Sequence, residues 1–346
     1  MKSVELSKVI NTKSSNINLM RFLAAILVIF CHSFYVAENR DDPLFLLSDG
    51  QINFGGISVA IFFFLSGFYV TKSIYSGKSD IGLFIKKRCI RIFPQLWLVV
   101  LLSVFVLGTI CTEVTLSDYF SDIHTYLYLL NGVLIPVHDL PGVFSNNIYG
   151  STINGPLWTM PIEFFGYIVI AIFFWIDKKN EDNGKQLRNV YHIMTVLTLL
   201  ASIALLFVFS YIIKNVFLTT VVRAWVFFVV GMEYYNMRDH IKLSISLASV
   251  FVVILLVAIK LPFYNFIMIL LFPYIILTIG IGIKQITFDA GILKCSYEMY
   301  LVGWPVQQIL TMISGGSMTP FCNFIITIPI DIIIGYVILK TLGEKV

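Results

Sequence analysis

Charge is what this sequence has least of. Lys, Arg, Asp and Glu make up 13% of its 346 residues, against roughly a quarter in a soluble domain. So few charges leave the surface of a soluble protein this size uncovered, which excludes a cytoplasmic globular enzyme. Disorder is excluded too, because 58% of the residues are hydrophobic and disordered chains are poor in them. Cysteine is sparse: Cys31, Cys89, Cys111, Cys295 and Cys322 are scattered, odd in number and without metal-ligand spacing. They read as packing thiols, and no metal is expected. An excess of positive charge is also missing, with 24 Lys and Arg against 20 Asp and Glu, so no nucleic-acid partner is expected. The first apolar run ends without a small-residue cleavage site, which argues against a removable leader. There is no internal repeat and no low-complexity tract.

Long apolar runs are abundant instead. They fall near 17–36, 54–74, 92–112, 157–176, 190–213, 216–236, 241–259, 262–283, 292–313 and 320–341. A spanning helix needs about 20 such residues, whereas barrel strands would alternate. The fold class is therefore an all-α polytopic membrane protein of about ten transmembrane helices. It reads as one transmembrane domain over 1–346, with no fused soluble domain.

Positive charge gives the orientation. With the N-terminus inside, the inside segments hold Lys2, Lys8, Lys13, Lys72, Lys78, Lys86, Lys87, Arg88, Arg91, Lys178, Lys179, Lys185, Arg188, Arg238, Lys242, Lys284, Lys294, Lys340 and Lys345. The outside segments hold only Arg40, Lys214 and Lys260. Both termini are then cytoplasmic. The longest outside loop, about 113–156, has no Lys or Arg, and its apolar patch at 126–136 suits a re-entrant or interfacial segment.

An ionisable residue inside a span is costly and marks function by default. Here these are Arg21, His32, Glu163, Arg223, Glu233, Glu298 and Asp331. Counted along straight helices, His32 and Glu163 fall at similar depth in the outer half, about 6 and 9 Å from the outer ends of their spans. A His and a carboxylate at one level make a base and its orienter. The alternative is a His capped by a carbonyl and a Glu paired to Arg223. Arg88 and Arg91 lie three apart at the inner mouth of the third span. Such a pair suits phosphates; on spacing alone, ordinary positive-inside anchoring or contact with lipid headgroups is the favoured reading. Asp331 reads as a counter-ion for Arg223 or as a proton relay. The small residues around Gly55, Gly56, Ser66 and Gly67 read as helix-packing positions.

Four patches together resemble the integral-membrane acyltransferase-3 family. Arg21 and His32 reproduce its Arg-x10-His on the first span, within Asn18-Leu-Met-Arg-Phe-Leu-Ala-Ala. Ile61-Phe-Phe-Phe-Leu-Ser-Gly-Phe68 resembles its FF-x-x-SG-F patch. Lys87-Arg-Cys-Ile-Arg-Ile-Phe-Pro94 resembles its R-x-x-R-I-x-P patch. Asn154-Gly-Pro-Leu-Trp-Thr-Met-Pro-Ile-Glu-Phe164 is close to its NGPLW-x-x-x-x-E signature. The motif-bearing part covers about 17–176. One departure comes late: where relatives show Ser-Tyr…Tyr-Leu-x-His-x-Pro, this chain has Ser296-Tyr-Glu-Met-Tyr-Leu-Val-Gly-Trp-Pro305. Gly303 stands at the His position.

The resemblance implies an O-acetyltransferase of the inner or plasma membrane. Acetyl-CoA would be the donor, and a glycan or lipid-linked glycan the acceptor, with membrane lipid around both. His32 and Glu163 would be catalytic, and Arg21, Arg88 and Arg91 would hold the coenzyme. Trp158 and Asn154 would meet the sugar. Two other classes fit ten spans, a lipid-linked sugar flippase or exporter and a polysaccharide polymerase. A polymerase is expected to carry basic residues in its large outer loop, and 113–156 has none.

Overall fold

The computed structural model describes residues 3–11, 15–75, 80–182, 189–286 and 291–343. Among the positive charges used for orientation, Lys2, Lys13, Lys78, Lys185, Arg188 and Lys345 lie outside the described residues. The long helices are α1 (Ser15–Glu38), α2 (Phe54–Tyr75), α3 (Ile81–Leu102), α4 (Thr159–Asp182) and α5 (Asn189–Phe207). They are followed by α6 (Val216–Asn236), α7 (Ile245–Val257), α8 (Tyr264–Leu277), α9 (Ser296–Ile313) and α10 (Pro320–Ile338). Helix α3 runs on through a π-turn to Cys111.

Eight of these helical segments are long and apolar enough to cross a membrane. The runs expected at 241–259 and 292–313 are also helical but differ from the rest. The first is short, Ile245–Lys260, and the second, α9, carries buried Glu298, Gln307 and Gln308. The chain is thus all-α in its architecture. Among the described residues the one sheet pairs β1 (Val4–Glu5) antiparallel with β2 (Lys242–Leu243).

In lipid, apolar surface does not drive helices together, so close packing and polar contacts must. The tightest crossing is α2 on α6. A Cβ at Gly67 would lie 2.0 Å from the Phe228 carbonyl oxygen, and one at Gly231 would lie 2.2 Å from that of Phe64. Two glycines let the backbones touch, so the small residues of the second span are indeed packing positions. The same crossing turns Ser66, beside Gly67, toward α4.

Polar side chains join the rest. Gln307 Nε2 donates to the Ile29 carbonyl at 2.8 Å, locking α9 to α1. Gln308 Nε2 and Trp304 Nε1 both donate to the Thr152 carbonyl, at 2.9 and 3.0 Å. Asn154 Nδ2 donates to the Leu301 carbonyl at 2.8 Å. These bonds strap the segment before α4 onto the flank of α9. The start of α4 is therefore recessed. It lies beside Leu301, twelve residues or about 18 Å along α9 from Ile313.

The 126–136 patch folds as the short helix Ile123–Leu127 and the 3-10 turn Tyr128–Val133. It packs on α3, where Gly132 abuts the Trp97 ring.

Candidate functional site

A cavity of about 330 Å³ opens among α1, α2, α3, α4 and α9. Small-molecule sites run from about 300 to 1,000 Å³. Arg21, Arg88, Arg91 and Glu163 line it, with Ser66, Thr159, Tyr167, Tyr297 and Tyr300. Four of the residues expected at the site, which come from three separate helices, are thus brought into one space.

Position along each helix explains the meeting. Arg21 is six residues into α1, Arg88 seven into α3 and Arg91 ten, so the three cations occupy successive levels from the same end of the bundle. That end also carries Lys72, Lys86 and Lys87, and is the basic end. Arg88 is half-buried, and its Nη2 donates to Ser73 Oγ at 2.9 Å. Its guanidinium stands 5.9 Å from the Tyr167 ring centroid. Arg88 Nε is a buried donor with no acceptor among the described residues. Buried donors are usually satisfied, so a missing acceptor here fits an anionic group brought in from outside. Arg91 is exposed.

Glu163 is the carboxylate in this cavity. Ser66 Oγ donates to its Oε1 at 2.8 Å, and the Tyr167 hydroxyl also donates to Oε1. Arg21 and Arg88 line the same cavity.

His32 stands apart. It is not among the residues lining the cavity. The Trp304 ring meets its imidazole edge-on, with centroids 4.9 Å apart and planes at 75°. Tyr149 packs on the same indole at 4.9 Å. Among the described residues no hydrogen bond or ion pair joins His32 to Glu163. Nor does Glu163 pair with Arg223, whose Nη1 donates to the Gln51 carbonyl and to Asn265 Oδ1, each at 3.0 Å.

The expectation of a shared level therefore needs correcting. The recessed start of α4 carries Glu163 toward the middle of the bundle, beside Ser66. That serine is twelve residues, about 18 Å, past the start of α2. His32 remains about 9 Å from the far end of α1. Helix α9 links the two levels. Tyr300 lines the cavity, and Trp304, one turn or about 6 Å further along, borders His32.

Asn154 and Trp158 do not line the cavity. Asn154 is buried and its amide holds Leu301, although its Oδ1 has no partner among the described residues. Trp158 packs on Phe217 at 5.9 Å. At Gly303 an added Cβ would lie 2.8 Å from Asp331 Oδ2 and 3.1 Å from Ile29. A side chain at this position would have to push the Asp331 carboxylate aside. Asp331 faces Gly303, not Arg223, and is fully buried.

Ser66, Tyr167, Tyr297 and Tyr300 belong to the cavity but were not singled out from the sequence. Signals for three of them existed. Ser66 sits in the FF-x-x-SG-F patch, and Tyr297 and Tyr300 sit in the Ser-Tyr…Tyr pattern. Read for packing or for the missing His, those patches hid their hydroxyls.

Residues 14–340 match the acyltransferase domain of the acyltransferase-3 family. Over 192 residues, 56% of this chain and 54% of the relative, it is 29% identical to a protein of Shigella phage Sf6 named O-acetyl transferase. Over 165 residues, 47% of this chain and 44% of the relative, it is 30% identical to Nodulation protein 10 of Rhizobium leguminosarum bv. viciae. The chain thus spans about half the length of the curated relatives it matches. No solved structure matches it. With the family match running through the four sequence patches and the whole helical bundle, this multi-pass membrane chain belongs to the acyltransferase-3 family.

Proposed function

We propose that this protein is a membrane O-acyltransferase. It takes acetyl from cytoplasmic acetyl-CoA and delivers it to a hydroxyl of a cell-surface polysaccharide or its lipid-linked precursor. The observation that carries the reading is the convergence of Arg21, Arg88 and Arg91 in one cavity, one turn of α9 short of His32. The relative named O-acetyl transferase supports the choice of reaction.

The positive-inside rule assigns the basic end to the cytoplasm, in an inner or plasma membrane crossed about ten times with both termini inside. Coenzyme A is anionic at its nucleotide and uncharged along its pantetheine arm. Arg88, half-buried, and Arg91, exposed one turn further along α3, bind phosphate oxygens, since guanidinium groups grip phosphate through paired N–H donors. Arg21 adds to the same positive field from α1, at about the level of Arg88. The Tyr297 and Tyr300 rings and the apolar wall accept the uncharged arm. Glu163, held by Ser66 and Tyr167, takes a hydrogen bond from an amide N–H of that arm.

Bound there, acetyl-CoA supplies an acyl group activated as a thioester. His32 removes the proton from the acceptor hydroxyl as its oxygen bonds to the acetyl carbon. The C–S bond breaks, the sulfur leaves as thiolate, and the His32 proton goes to it. Trp304 keeps the imidazole oriented from one side. Trp158 and Asn154 belong to the acceptor side of this reading, as a stacking ring and a buried amide oxygen.

The test is a transfer assay with purified protein, paired with NMR of the cell-surface glycan from cells with and without it. O-acetyl signals that require the protein and vanish with His32→Ala are the expected result. Absence of acetyl-CoA binding by folded protein overturns the reading.

A further inference from the structure

A second cavity of about 330 Å³ lies at the far end of the bundle. We infer that it is an oxyanion site for the acceptor. It holds a carboxylate or phosphate carried by an acidic glycan while a hydroxyl of the same glycan lies at His32. The inference rests on the acyltransferase reading above and adds the chemical class of the acceptor.

Arg223 carries the argument. It lines this cavity and is only 6% exposed. Its Nη1 is spent on the Gln51 carbonyl and on Asn265 Oδ1. Both partners are neutral. The three remaining N–H donors, on Nε and Nη2, have no acceptor among the described residues, and no described carboxylate forms an ion pair with the side chain. A buried charge without a counter-ion is expensive, and proteins pair such groups. An anion entering the cavity supplies the missing partner.

The surroundings are shaped for this. A Cβ at Gly56 would lie 2.8 Å from Arg223 Nη2, so only glycine leaves the guanidinium its place. Lys214 adds a second cation at the cavity wall, exposed, with its backbone held at φ +55°. Among the described residues Asp41 is the one acid lining the cavity, and its Oδ1 accepts the Tyr35 hydroxyl at 3.0 Å. The balance stays positive. Ser210, also on the wall, has a buried hydroxyl without a partner among the described residues. Two cations and a spare hydroxyl suit an anion on a polyol better than a bare ion.

Position ties the cavity to the chemistry. Tyr35 lines it and follows His32 by three residues, about 4.5 Å along one face of α1. The Tyr35 ring meets Tyr149 at 6.4 Å, Tyr149 meets Trp304 at 4.9 Å, and Trp304 meets His32. A continuous aromatic wall thus runs from the oxyanion site to the base.

The test titrates whole purified protein with methyl β-D-glucuronide, methyl β-D-glucoside, methyl β-D-glucoside 6-phosphate and inorganic phosphate, followed by saturation-transfer NMR. The acidic glycosides should bind about tenfold or more tightly than the neutral one, the scale of one charge-assisted hydrogen bond. Arg223→Gln should abolish that preference, and Lys214→Gln should reduce it. Equal binding of acidic and neutral glycosides overturns the inference, as does a preference that survives both substitutions. Inorganic phosphate binding as tightly as the sugar phosphate overturns it too, because the site would then serve a bare anion or a lipid headgroup. Should Arg223→Gln fail to fold, Lys214→Gln decides alone, since that side chain is exposed. No donor is present in these titrations, so they fail independently of acetyl-CoA binding, which is measured on the same preparations.

Discussion

Ser66 and Glu163 meet at 2.8 Å across the interface of α2 and α4, and this contact sets the depth at which the carboxylate works. Gly67 seats α2 against the Phe228 backbone, so the neighbouring hydroxyl is held on the cavity wall. The carboxylate that accepts it is placed among the arginines of the basic end, about 9 Å of helix rise below His32. On the proposed reading it belongs to the donor side of the bundle.

Glu163→Gln is therefore expected to fold. The amide oxygen continues to accept from Ser66 and Tyr167, and no Arg223 partner is lost. Donor affinity should hold or improve, because one negative charge is removed from the cavity proposed to receive the coenzyme phosphates. Turnover should fall by about tenfold, because a neutral amide oxygen holds the N–H of the donor's arm, and with it the thioester, less firmly than a carboxylate does. Thermal unfolding in detergent and single-turnover transfer check both halves. Adding Arg223→Met should not restore activity, and restored activity would reject the separation of these two residues.

Arg88→Ala with Arg91→Ala should weaken acetyl-CoA binding strongly and acceptor binding little. Each lost charge-assisted contact contributes about 1.5–3 kcal/mol. Calorimetric titration with coenzyme A measures the loss. Orientation in the membrane is verified alongside by accessibility of Cys322, which is exposed.

His32→Ala should abolish transfer and leave coenzyme binding at the wild-type level, because the imidazole is outside the arginine-lined cavity. Coenzyme titration and a transfer assay on one preparation separate these effects. Near wild-type O-acetylation by this variant removes His32 as the base.

Gly67→Ala should destabilise the bundle by about 1–3 kcal/mol, the usual cost of overpacking, because its new methyl group meets backbone and not a movable side chain. Gly82→Ala is the control, since its nearest neighbour is a side-chain oxygen at 3.5 Å. Equal melting temperatures for the two variants would contradict the α2–α6 crossing.

Much of this protein was decided by its sequence alone. Apolar runs as long as a bilayer is thick admit only helices, because backbone groups in lipid must bond within their own segment. The clustering of Lys86, Lys87, Arg88 and Arg91 marked one end of the bundle. The spacing of Arg21 and His32 already separated a basic level from a deeper one, since rise per residue is constant along one helix. Tertiary structure alone decided what lies beside each residue. Counting along α4 assumed that it begins at the membrane surface, whereas Asn154 pins its start to Leu301, deep on α9. That one bond moves Glu163 from the level of His32 to the side of Ser66, 97 residues away in the chain. The fate of Arg223 was equally hidden. Depth made Glu163 and Asp331 its natural partners, but depth carries no information on the direction a helix faces, and the packing of α6 on Gly56 turns that guanidinium into a cavity of its own.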